Sequence, residues 1–167
     1  GLRKSSLLVA GASTLFARWA KNFRKHVNEL PQMDSEKSTN AGGDPSIAYY
    51  HSYWELAPDE ALVIEVLPPP CEHWNFQLDN HWMESLDYRY FTIHINKFSA
   101  KYRKDGSVRI VVAAENPGTE NWINTVGHRR GTMCFRWIRA DSHPQPRTRV
   151  CKIDEIRDEI RKEENRL

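Results

Sequence analysis

Between residues 47 and 153 the apolar side chains recur at every second position in short runs, a period that builds half-buried strands and not helices. In HWNFQLD (73–79), Trp74, Phe76 and Leu78 fall on one side of a strand, and His73, Asn75, Gln77 and Asp79 on the other. YRYFTIHINKF (88–98) repeats the pattern, setting Phe91, Ile93 and Ile95 against Tyr90, Thr92, His94 and Asn96. IAYYHSYWEL (47–56) is rich in aromatics, and ALVIEVL (61–67) and VRIVVAAE (108–115) are strongly apolar. GTMCFRWIR (131–139) and RVCKI (149–153) complete the set. Turn residues separate the runs: Pro58 with Asp59, the Pro68-Pro69-Pro70 stop, and Asp105-Gly106 as a hairpin connection. Strands this short and closely spaced, with helical periodicity only at the chain ends, predict a mainly β fold. The expected form is an antiparallel, jelly-roll-like β-sandwich with an N-terminal amphipathic helix and a short C-terminal helix.

The flanks read differently. Leu8, Ala12, Leu15, Trp19, Phe23, Val27 and Leu30 recur every three or four positions, and Phe16 widens the stripe, so residues 3–30 read as one amphipathic helix. Pro31 stops it. Residues 32–46 are polar, contain Gly42-Gly43 and Pro45, and read as a linker. The chain is thus expected to divide into a helix over 1–31, a linker over 32–46, a β domain over 47–153 and a charged helix over 154–167. The first helix packs on its own domain, is the stub of an upstream helical region, or lies on a membrane surface, which its basic polar face permits.

A length of 167 residues fits one domain whose core needs no disulfide or metal staple. No apolar run approaches the ~18 residues of an integral membrane segment, so a soluble chain is expected. The opening GLRKSSLLVAGASTLFA has the basic end and short apolar stretch of a signal peptide. The pattern nevertheless continues past Arg18, Lys21 and Lys25, with no small-residue cleavage site. Three cysteines without CxxC spacing point to free thiols and a reducing, cytoplasmic setting, with one bridge plus one free thiol as the alternative. The net charge of +2 conceals blocks: residues 1–30 carry six basic groups against Glu29, residues 31–99 three basic against eleven acidic, and residues 100–167 fifteen basic against ten acidic. Blocks of opposite sign are expected to pair within the molecule. The basic residues are scattered through strands and no nucleic-acid module signature is present, so no nucleic-acid partner is expected.

The densest collection of chemistry lies in CEHWNFQLDNHWMESLDYRY (71–90). Asn75 and Gln77, sharing a face with His94 and Arg136, would form a polar patch suited to a sugar or a carboxylate, because amides bond hydroxyls and Arg pairs an anion. Trp74 and Trp82 read as core. No metal site is expected: His51, His73, His81, His94 and His128 show no HExxH-type spacing. No cofactor is expected, since the glycines are scattered and form no phosphate-binding loop. Ser85, Asp87 and His128 lack a GxSxG elbow, which leaves Glu84, Asp87 and His128 as the acid/base candidates for a hydrolase or lyase. In the long loop 116–130, Asn116-Pro117-Gly118 makes a tight turn and Trp122 can anchor by burial. Asn121, Asn124 and Thr125 can satisfy its backbone, and His128, Arg129 and Arg130 sit at its exit, where an anion could bind.

YWELAPDEALVIEVLPPPCEHWNFQLDNHWMESLDYRY followed by DGSVRIVVAAENPGTENWINTVGHRRGTMCFRW resembles the bacterial family called Domain of Unknown Function 1214, over about residues 47–153. The resemblance implies a jelly-roll-like β-sandwich that often forms the C-terminal part of a longer chain. It also implies an Asn-Trp loop, here Asn121-Trp122, before a strand bearing Arg, here Arg136. Where many relatives look like Asp-Pro-Gly, this chain has Asn116-Pro117-Gly118. The resemblance implies no activity. The expectation is therefore a non-catalytic or accessory module that binds a small polar ligand or packs on an upstream region. A hydrolase or lyase, or an oligomerisation module working through residues 1–30, are the alternatives.

Overall fold

The structure, a computed structural model, describes residues 2–164; Gly1 and residues 165–167, the outer ends of two predicted segments, lie outside the described residues. It holds helix α1 (Leu2–Phe23), a short helix α2 (Ser35–Asn40), strands β1 (Ile47–Glu55), β2 (Glu60–Val66), β3 (Cys71–Leu78), β4 (His94–Asn96), β5 (Val108–Ala113), β6 (Trp122–Asn124), β7 (Arg130–Ala140) and β8 (Arg147–Lys152), and helix α3 (Ile153–Glu164). The strands form two four-stranded sheets, ordered β1-β7-β3-β4 and β6-β5-β2-β8. All pairs are antiparallel except β5 with β6, which run parallel with Val111 opposite Trp122. That exception corrects the fully antiparallel expectation. The 114–121 segment carries the chain back alongside β5, where the Val111 amide donates to the Asn121 carbonyl at 3.0 Å.

One buried cluster takes side chains from both sheets. The first sheet supplies mainly aromatics, among them Tyr50, Trp54, Trp74, Phe76, Phe135 and Trp137. The second supplies aliphatics, among them Leu62, Ile64, Val66, Val108, Ile110 and Val112. Trp74 stacks on Phe135 at 5.6 Å and 6°. The polar ends of these rings are satisfied, as burial demands: the indole N–H groups of Trp54, Trp74 and Trp137 donate to the Asp79 carbonyl, the Tyr102 hydroxyl and the Pro144 carbonyl. The second sheet is apolar on its outer face too. There Ala61, Val63, Val111 and Ala113 pack with Ile153 and Ile156 of α3, which explains why β2 and β5 read as nearly continuous apolar runs.

The charge blocks pair across the fold. Acidic Glu55, Asp59, Glu65 and Glu72 meet basic Arg24, Lys152, Arg109 and Arg139.

Several boundaries differ from the sequence expectation. The first helix ends at Phe23, not at Leu30. Residues 24–26 still bond back onto the helix end, and from His26 onward the backbone bonds to the edge of β1. Val27 bridges Tyr53 in parallel, and the Asn28 side chain both donates to the Glu55 carbonyl at 2.8 Å and accepts from the Glu55 amide at 3.0 Å. Leu30 still reaches the core, while Leu7, Leu8 and Leu15 on α1 remain exposed. The expected strand 88–98 shrinks to β4, because Asp87 holds a turn: its side chain accepts from the Arg89 amide and its carbonyl from the Phe91 amide. Trp82 is not core. It stands 58% exposed on a turn organised by Asn80, whose side-chain oxygen accepts from the Trp82 and Glu84 amides.

Candidate functional site

Strand pleating puts residues two apart on one face, and the register of the first sheet then aligns those faces in rows. Gln77 lies opposite His94 on one side and Cys134 on the other, and Cys134 lies opposite His51. The neighbouring row runs Asn96, Asn75, Arg136, Tyr49. Asn75, Gln77, His94 and Arg136 therefore share the outer face of this sheet, on three adjacent strands. His94 is exposed and the other three are half-buried. Arg136 Nη1 donates to Asn75 Oδ1 at 2.9 Å, and Gln77 Nε2 donates to Asp79 Oδ1 at 2.6 Å. Among the described residues Arg136 has no carboxylate within ion-pair distance, unlike Arg103, Arg109, Arg139 and Arg149.

Burial sets the protonation of the groups around Arg136. It pushes the Asp79 carboxyl above its ordinary value, against the Gln77 hydrogen bond and the Arg136 charge. It pushes the His51 imidazole down to about 4, helped by Arg136. It pushes the Cys134 thiol up to about 12. His51 Nε2 and Cys134 Sγ are 3.5 Å apart, the spacing of a Cys–His pair. A buried thiol held far above neutrality beside an imidazole held below it is a neutral contact, however, and not an activated nucleophile.

The acid/base candidates do not come together. Glu84 accepts from Asn80 Nδ2 at 2.7 Å within its own turn. Asp87 is held by two hydrogen bonds from the Arg89 guanidinium, and that pairing keeps its carboxyl below the ordinary range. His128 borders a separate hollow with Leu56, Pro58 and Arg129. Among the described residues no hydrogen bond or ion pair joins any two of them. In the 116–130 loop, Asn121 is buried, accepts from the Lys101 amide and donates to the Lys101 and Arg109 carbonyls. The Trp122 indole donates to the Ala113 carbonyl at 3.0 Å. Asn116 Oδ1 accepts from the Gly118 and Thr119 amides, a task a carboxylate oxygen would perform equally well. Gly118 has φ +101°, which only glycine adopts readily.

The polar face has a wall that sequence reasoning did not anticipate. Along the β1 edge, Phe23 of α1 stacks on His51 at 5.1 Å and 8°, and Tyr49 lies beside His51 at 5.9 Å and 9°. A cavity of about 450 Å³ opens there beneath α1. The aromatic richness of IAYYHSYWEL was the only local hint of it.

No protein-family model matches the chain, and no curated protein does. Among solved structures, an uncharacterised protein from Burkholderia cenocepacia is similar at a TM-score of 0.82 and 55% identity, over 84% of this chain and 39% of its own. The VPA0106 protein from Vibrio parahaemolyticus is similar at a TM-score of 0.56 and 18% identity, over 70% of this chain and 34% of its own. The second likeness shows a shared fold alone. The chain spans well under half the length of either protein.

Proposed function

We propose that this chain is a small-ligand-binding module of jelly-roll-like β-sandwich form, belonging to the Domain of Unknown Function 1214 family. Its site is the polar outer face carrying Asn75, Gln77, His94 and Arg136. The ligand is a sugar or a small carboxylate, anchored by Arg136 and oriented by the two amides. The long motifs quoted above carry the family part of this reading. One observation carries the site: Arg136 is half-buried and gives one N–H to Asn75, yet has no carboxylate paired with it among the described residues. A guanidinium so placed retains donors in a fork that suits an oxyanion. The test is a thermal-shift panel of monosaccharides and short carboxylates against the wild-type chain and Arg136→Gln. A member of the panel should raise the wild-type Tm by mass action and leave the variant unmoved. If none does, the polar face is solvent surface.

A second reading concerns α1. Leu7, Leu8 and Val9 are 73%, 74% and 66% exposed, far more apolar surface than a helix leaves in water without a partner. In this reading that face packs on another region of a longer polypeptide or on a second copy. Sedimentation of the wild-type chain and of a Leu8→Glu, Leu15→Glu variant separates the two: only a second copy gives a wild-type dimer that the variant loses.

A further inference from the structure

The cavity beneath α1 is built from segments distant in sequence. Its apolar walls are Trp19 and Phe23 of α1, Met33 from the following loop, Tyr49 and His51 of β1, and Met83, whose backbone adopts φ +63°. The rings of Phe23, His51 and Tyr49 lie within 9° of parallel in successive pairs and stack on one another, so they form one continuous aromatic wall. The two methionines give a compliant border. Gly43 closes one corner, where an added Cβ would sit 2.9 Å from the Ser38 carbonyl oxygen and 3.1 Å from the Tyr49 ring.

The polar groups in the lining are few and of one character. Lys37 contributes the only formal charge, and no carboxylate borders the cavity. Its ammonium forms no ion pair or side-chain hydrogen bond among the described residues, and neither the Asn22 amide nor the Ser38 hydroxyl has a side-chain hydrogen bond there. His51 contributes no charge near neutral pH. Aromatic walls select a flat apolar body, and one unopposed cation at the mouth selects an anionic end.

We infer that this cavity is a binding site for a small aromatic carboxylate, its ring against Phe23, His51 and Tyr49 under Trp19, and its carboxylate at Lys37. The inference goes beyond the polar-face reading and does not depend on it, because neither Arg136 nor Asn75 lines the cavity.

Calorimetric titration of the intact chain with 2-naphthoate tests it. Saturable one-to-one binding is expected. Lys37→Gln, an exposed change on α2, should weaken it by about twofold to fivefold, the range of an accessible ion pair. Trp19→Ala should weaken it by about tenfold or more, with Met83→Ala as the second wall variant should the first fail to fold. Arg136→Gln should leave it unchanged, and that arm separates this site from the polar face. Octanoate and the neutral 2-naphthalenemethanol should both bind more weakly. Absence of saturable heat from 2-naphthoate overturns the inference. So does equal affinity for octanoate, equal affinity for the neutral alcohol, or a loss in Arg136→Gln matching that in Lys37→Gln.

Discussion

Each sheet turns one face away from the shared core, and the two outer faces are finished in opposite ways. On the β6-β5-β2-β8 sheet, α3 lays Ile153 and Ile156 over Ala61, Val63, Val111 and Ala113. Around this contact Arg109 pairs with Glu65 at 3.1 Å and Glu163 at 2.8 Å, and Arg149 pairs with Glu159 at 2.6 Å. On the β1-β7-β3-β4 sheet the outer face carries amides, stacked rings and an arginine with no carboxylate partner among the described residues, with α1 lying over β1 and reaching β7. Burial of apolar area accounts for the first arrangement. It does not account for the second, since a solvent-facing sheet needs only generic polar residues. Stability therefore explains the α3 face, and the other face is the one on which the proposed site lies.

Truncation on the two faces is the most forceful way to break this contrast. Ile156 is fully buried against the sheet, so Ile156→Ala should cost about 2–5 kcal/mol in urea unfolding, with the larger figures where the cavity does not collapse. His94 is exposed on the edge strand of the polar face, and His94→Ala should stay within about 0.5 kcal/mol. Comparable losses from both would mean that the polar face is as structural as the other.

The same contrast governs how much could be read from sequence. The alternation of Trp74, Phe76 and Leu78 is local, and all three are fully buried as that period requires. The shared face of Asn75 and Gln77 follows from the same period. Other features were invisible because they depend on partners far along the chain. Val27 and Leu30 continue the helical spacing of α1, yet the hydrogen bonds of Asn28 to Glu55, 27 residues away, decide the boundary. Trp82 looks like core by composition, and only the Asn80 turn shows it facing outward. The parallel β5–β6 pair has no sequence signal, because its three-residue strand is too short to show a period. The cavity under α1 draws on a helix, a linker, a strand and a turn, and of these only the strand, through its aromatic richness, carries a hint of it.

Acid titration offers a finer separation of the two faces. The His51 imidazole is held at about 4 when folded, against an ordinary value of 6.5, so between those values the unfolded chain binds a proton that the folded chain refuses. Stability from this group is complete above pH 6.5 and is lost as pH falls toward 4, by about 2–3 kcal/mol once partial exposure of the ring is allowed for. Asp79 on the same face acts with opposite sign. Burial raises its folded value, so the native state holds its proton more tightly than the unfolded chain and gains from acid. On the α3 face, burial pushes Glu65 up, but the hydrogen bonds from Arg109 and Arg103 outweigh it and hold the carboxyl below its ordinary 4.5. Its contribution is intact above that value and declines only at lower pH. Unfolding midpoints measured from pH 7 to pH 3 should therefore fall in two stages. His51→Gln should flatten the stage above pH 4 and leave the lower one, whereas Glu65→Gln should leave the upper stage and reduce the lower one, which it shares with the paired carboxylates Asp59 and Asp87. A His51→Gln profile that parallels the wild type throughout would mean that this ring takes up its proton in the folded state, and that the rings along the β1 edge do not shield it from water.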